Sequence, residues 1–111
     1  MGRFVPSPTV LTDLQVDGTT MVVDESNNRL GIGTATPQAA LDVAGNIFPS
    51  ADATHDLGSS SKRWDNIFTN DLHLANDRGD WTIIEEEQYL SIRNNKDGKM
   101  YKFVLEELPE D

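Results

Sequence analysis

The stretch from Leu30 to Gly45 constrains the fold more than any other part of the chain. Gly31 and Gly33 flank one apolar residue, Ile32; Thr36-Pro37 then opens a turn, and Leu41-Asp42-Val43 reads as a short strand closing on Gly45. Glycines at alternate positions allow a backbone to bulge, bend or pass close to another backbone, which a side chain would prevent. The expected structural glycines are Gly31, Gly33, Gly45 and, where Leu30-Gly31 recurs 27 residues later, Gly58.

The strand in this stretch is one of three copies. Asp13-Leu14-Gln15-Val16-Asp17-Gly18, Ala40-Leu41-Asp42-Val43-Ala44-Gly45 and Asp71-Leu72-His73-Leu74-Ala75-Asn76 share the pattern x-Leu-x-(Val/Leu)-x-(Gly/Asn). Each predicts a short alternating strand that ends at a residue tolerant of positive φ. Units with two alternating apolar residues cannot bury their apolar face alone and must stack. A three-fold axis on which three chains bring together Leu14, Val16, Ile32, Leu41, Val43, Leu72 and Leu74 is the economical solution, and a single-chain solenoid is its competitor.

The connecting pieces carry turn chemistry. Thr20 to Val23 is a β-rich run ended by Asp24-Glu25-Ser26-Asn27-Asn28, a turn before Arg29-Leu30-Gly31-Ile32 resumes as strand. Thr36-Pro37 has the order of a helix cap followed by N1 proline, predicting one helical turn over 37–40. Ser59-Ser60-Ser61 predicts another before Trp64, Ile67 and Phe68, which would then share a helical face. After Asp80 the texture changes to three β-rich runs, 81–85, 88–93 and 99–105, with Asp97-Gly98 as a strong hairpin signal.

Two of these segments carry a resemblance. Leu30-Gly31-Ile32-Gly33-Thr34, Pro37 and Leu41-Asp42-Val43-Ala44-Gly45 look like the recurrent shaft motif of bacteriophage tail-fibre and virion appendage proteins. Asp56-Leu57-Gly58-Ser59-Ser60-Ser61-Lys62-Arg63-Trp64-Asp65-Asn66-Ile67-Phe68 is similar to a second element that follows it in those fibres. Together they cover about residues 28 to 76. The resemblance implies an intertwined homotrimer in the virion, assembled in the host cytoplasm.

Composition narrows the function classes. With 37% hydrophobic residues in 111, a self-sufficient core is doubtful and partner chains are a common remedy. A net charge of −10 repels phosphate backbones, so a nucleic-acid partner is not expected. No cysteine is present for a disulfide or thiolate site, and no stretch has the length of a membrane span, so a membrane partner is not expected either. Gly31-x-Gly33 lacks the third glycine and following helix of a dinucleotide fingerprint. His55 and His73 lie 18 residues apart with no convergent acid, Glu85-Glu86-Glu87 reads as a solvated turn, and Arg78-Gly79-Asp80 as a connecting turn. No catalytic residue, metal ligand or cofactor is assigned, and the chain is expected not to be an enzyme.

The expected fold is mainly β: an intertwined homotrimeric fibre-like shaft of short strands with a small antiparallel C-terminal β meander. Residues 1–10 form an N-terminal arm in which Phe4, Val5, Pro6 and Pro8 anchor to another virion protein. Residues 11–76 build the shaft, and 77–111 form a three-stranded module with an acidic tail. The expected function is that of a structural virion protein, a short trimeric fibre or capsid or tail decoration. The alternative is a receptor-binding module in which Trp81 or Tyr89 stacks on a host surface glycan.

Overall fold

The computed structural model describes residues 13–110, with side-chain surroundings from Val16 onward. It contains eight strands: β1 (Asp13–Val16), β2 (Met21–Asp24), β3 (Arg29–Ile32), β4 (Leu41–Val43), β5 (Leu72–Ala75), β6 (Asp80–Glu85), β7 (Leu90–Asn94) and β8 (Met100–Lys102). They form two four-stranded sheets in the orders β1-β2-β3-β4 and β5-β6-β7-β8. The chain divides between Leu57 and Gly58 into two compact units, each described by itself. No helix occurs among the described residues, and hence none long and apolar enough to cross a membrane. The mainly β class holds. The anchoring residues Phe4, Val5, Pro6 and Pro8, and the side chain of Leu14, lie outside the described residues.

The first sheet is an antiparallel meander, β1 to β3, joined by a parallel β4. Its turns are set by residues that accept left-handed backbone: Asp17 and Gly18 (φ 50° and 70°) after β1, and Asn28 (φ 56°) before β3. Asp24 holds the second turn by accepting from the amide and side chain of Asn27 at 3.3 and 2.9 Å. Only eight residues, 33–40, link β3 to the parallel β4, fewer than such crossovers usually need. Gly31 makes the short route possible. A Cβ there would lie 2.5 Å from the carbonyl oxygen of Thr34 and 3.4 Å from Pro37 Cδ, so the loop lies directly on the strand. Pro37 and Val22 are buried beneath and beside it.

The loop's polar groups are then spoken for. Arg29 Nη1 donates to the Pro37 carbonyl at 3.2 Å, and the Gln38 amide donates to Asp42 Oδ2 at 3.0 Å. The amides of Leu30 and Ala44 donate to the carbonyls of Ala40 and Ile32 at 2.9 and 2.8 Å and bracket the parallel pair. These bonds explain why the helical turn expected over 37–40 does not form. The Thr36 amide bonds Thr34 Oγ1 at 3.3 Å, and the carbonyl of Pro37, the expected first helical residue, serves Arg29.

The second sheet is antiparallel throughout. Its strands β6 to β8 are the expected meander, with Gly98 (φ 77°) in the β7–β8 turn. β5 adds a fourth strand, registering Leu72 with Ile83 and Leu74 with Trp81. The copy at 71–76, placed in the shaft by its likeness to the other two, thus belongs with the C-terminal module, which is four-stranded. The three copies are all strands, but β1 and β4 are opposite edges of one sheet and β5 is an edge of the other, so they do not occupy equivalent places in the fold.

The second expected helical turn is also replaced. Ser59 and Lys62 bond each other reciprocally, amide to carbonyl, at 2.9 and 3.2 Å, and Ser59 Oγ accepts from the Lys62 amide at 3.0 Å. This tight reversal brings Trp64 Cδ1 to 3.4 Å from where a Gly58 Cβ would be, and Gly58 itself has φ 88°. Trp64, Ile67 and Phe68 therefore share no helical face. Gly33 (φ 78°) is required by its backbone, whereas Gly45 has neither positive φ nor a neighbour within 4 Å, so its expected structural role is not supported.

Gly31→Ala is expected to destabilise the fold by about 2–3 kcal/mol, because a backbone carbonyl must move. Gly45→Ala should stay within about 0.5 kcal/mol of the parent. Urea unfolding of both variants at one protein concentration checks the contrast.

Candidate functional site

Alternation and register sort each sheet into two unlike faces. On the first sheet, the cross-strand partners Val16 and Met21, Met21 and Ile32, Val23 and Leu30, Leu30 and Leu41, and Ile32 and Val43 all lie on one face. Leu14 occupies the matching register position opposite Val23. The Thr34–Pro37 loop covers the other face, where Val22 and Gly31 pair. On the all-apolar face the described residues leave the burial incomplete: Leu41 is 55% exposed, Val16 41% and Ile32 37%.

The second sheet has a similar arrangement. Leu72, Leu74, Trp81, Ile83, Ile92, Leu90 and Tyr101 share one face by register, with Glu85 and Asn94 at its margins, and Phe103 extends it through its amide bond to the Leu90 carbonyl at 2.9 Å. Leu72, Leu74, Leu90 and Tyr101 are exposed there. Every residue expected in a shared core and open to description falls on one of these two faces. What spacing did not reveal is that Met21, Val23, Leu30, Trp81, Ile83 and Ile92 complete them. Among the described residues, Val22 and Pro37 are the apolar side chains that are buried.

The opposite face of the second sheet carries, beside Ile84 and Met100, a hydrogen-bonded polar network. Thr82, fully buried, has Oγ1 at 3.0 Å from His73 Nδ1 and accepts from Asn95 Nδ2 at 2.9 Å. The same Asn95 nitrogen donates to Asp80 Oδ1 at 2.8 Å, while Asn95 Oδ1 accepts from Arg93 Nε at 2.8 Å. Ser91, also buried, donates to Glu86 Oε1 at 3.0 Å. His73 is exposed, as a strand position beside Leu72 and Leu74 predicts, and it is engaged by Thr82. The sequence signal for this network was the polar alternation His73, Thr82, Arg93 on neighbouring strands, readable only once their pairing is known.

Features that resemble chemistry resolve into turns and surface contacts. In Arg78-Gly79-Asp80, Asn76 Oδ1 accepts from the amides of Arg78 and Gly79 at 2.8 and 3.0 Å, and the Asp80 carboxylate is engaged by Asn95. Ser50 Oγ and His55 Nε2 lie 3.1 Å apart on an exposed loop. Among the described residues no group of three or more His, Asp or Glu is placed to hold a metal ion. Of the two aromatics weighed for glycan stacking, Tyr89 has its ring covered by Lys102 Nζ at 4.7 Å, and Trp81 packs obliquely on Tyr101 with centroids 6.0 Å apart. The candidate functional surface is therefore the apolar face of each sheet.

Thr82→Val keeps the shape of the side chain but removes its oxygen, leaving the Asn95 amide short of an acceptor. It is expected to lower stability by about 1–3 kcal/mol, measured as an earlier urea midpoint in Trp81 fluorescence. No family model matches the chain, and no curated protein or solved structure matches it significantly.

Proposed function

We propose that the chain is a structural, non-catalytic subunit of a homotrimeric, fibre-like appendage of a tailed-phage virion, a short fibre or a capsid or tail decoration. It would be assembled in the host cytoplasm, attach to another virion protein through its N-terminal arm, and project its C-terminal module. The observation that carries this reading is that each sheet gathers its apolar side chains on one face, wholly so on the first sheet and with Glu85 and Asn94 at the margins of the second, and leaves Val16, Ile32, Leu41, Leu72, Leu74, Leu90 and Tyr101 exposed there. The shaft-motif resemblance of residues 30–45 and 56–68 supplies the virion context, and Gly31 and Gly58 of those motifs sit where close approach demands glycine.

Magnitudes are compatible with association. At roughly 25 cal/mol per Å², completing the burial of a half-exposed Leu or Ile contributes about 1 kcal/mol. Val16, Ile32 and Leu41 on one sheet and Leu72, Leu74, Leu90 and Tyr101 on the other are exposed, and in three copies their burial contributes roughly 20 kcal/mol, of the same order as the roughly 4–15 kcal/mol that each of two association steps costs. Contiguous apolar surface on this scale marks an interaction site.

A second reading, a glycan-binding module, draws on the open Trp81–Tyr101 pair. It predicts saccharide-dependent stabilisation that Trp81→Ala abolishes.

Ile32→Asp places a charge in the middle of the first apolar face and is expected to reduce a trimer mass to that of monomer, whereas Ser26→Asp, in the exposed β2–β3 turn, leaves it unchanged. Size-exclusion chromatography with light scattering reads both. Equal masses for the parent and Ile32→Asp would contradict the proposal.

A further inference from the structure

The apolar face of the second sheet holds a shallow depression of about 440 Å³ lined by Leu74, Trp81, Ile92 and Tyr101. Its walls are nearly all carbon surface, and it is open to solvent. The tilted Trp81–Tyr101 pair, with 46° between ring planes, leaves ring faces and edges available to a third ring.

The same unit carries an aromatic ring with nowhere to go. Phe68, just ahead of β5, is 95% exposed, while Trp64 already lies against Gly58. Phe68 does not occupy its own depression: its ring stands in solvent and is not among the residues that line the hollow.

We propose that Phe68 of one copy seats in the Leu74–Trp81–Ile92–Tyr101 depression of a neighbouring copy. The occupant is a second copy of this chain because knob and hole coexist on one unit, match in chemistry, and are not joined within it. Such a contact uses two different patches, so it is head-to-tail, and a ring of three closes it. The inference rests on the homo-oligomer reading and specifies one of its contacts.

The chain has no cysteine, so introduced thiols report unambiguously. Phe68→Cys/Tyr101→Cys, treated with a short bismaleimide, is expected to give covalent dimer and trimer on denaturing gels, while each single variant gives none. A multimeric mass without cross-linked species refutes this contact and leaves the assembly standing. Cross-linking by Phe68→Cys alone places the two Phe68 rings together and refutes it, as does cross-linking confined to the monomer band. A monomeric parent mass overturns both readings. Phe68→Ala, which removes only an exposed side chain of the subunit, is expected to raise the concentration at which the assembly dissociates about tenfold or more. An unchanged dissociation concentration counts against the contact.

Discussion

A four-stranded sheet has two faces, and among the described residues each of these sheets covers only one. In the first sheet the covering piece is the Thr34–Pro37 loop, which can lie on β3 because Gly31 presents no side chain to it. That contact fixes Val22 and Pro37 as the inside and leaves Val16, Met21, Val23, Leu30, Ile32, Leu41 and Val43 as the outside. Replacing Gly31 would push the loop off the strand and loosen the parallel β3–β4 pair that depends on its short crossover. The exposed apolar face is thus a consequence of how the other face is closed.

In the second sheet a hydrogen-bond network takes the place of the loop. Asn95 ties the β7–β8 turn to β6 through Asp80 and Thr82, and Thr82 reaches across to His73 on β5. A buried hydroxyl with its partners satisfied costs little, whereas one left unpaired is expensive, so the network specifies register as well as holding it. With polar groups consumed on that side, most apolar side chains of β5 to β8 collect on the other. Two different devices produce the same two-faced sheet.

Much of this was legible in local sequence. Period-two alternation located the strands around Leu14, Leu41, Leu72, Ile83 and Ile92, and Asn28 and Gly98 marked turns that do use left-handed backbone. The alternation of Gly31 and Gly33 pointed to close backbone approach, and at Gly31 the approaching backbone is the chain's own Thr34–Pro37 loop. Non-local pairing was not legible: nothing in Leu41-Asp42-Val43 states that it lies parallel to β3, and the likeness of Leu72-His73-Leu74 to the other copies concealed its partnership with Ile83 and Trp81. The expected helical turns failed because side-chain bonds from Thr34, Ser59 and Arg29 outcompeted one-turn helices, which have little intrinsic stability. Gly45 misled because a glycine after a strand need not adopt positive φ.

The central claim is that the two apolar faces are buried between copies. Sedimentation equilibrium of the unaltered chain over a wide dilution series tests it most directly. The account predicts a mass three times that of the chain, persisting on dilution, with unfolding that becomes concentration-dependent once dissociation begins. A folded monomer at every concentration, with a concentration-independent unfolding midpoint, would contradict it.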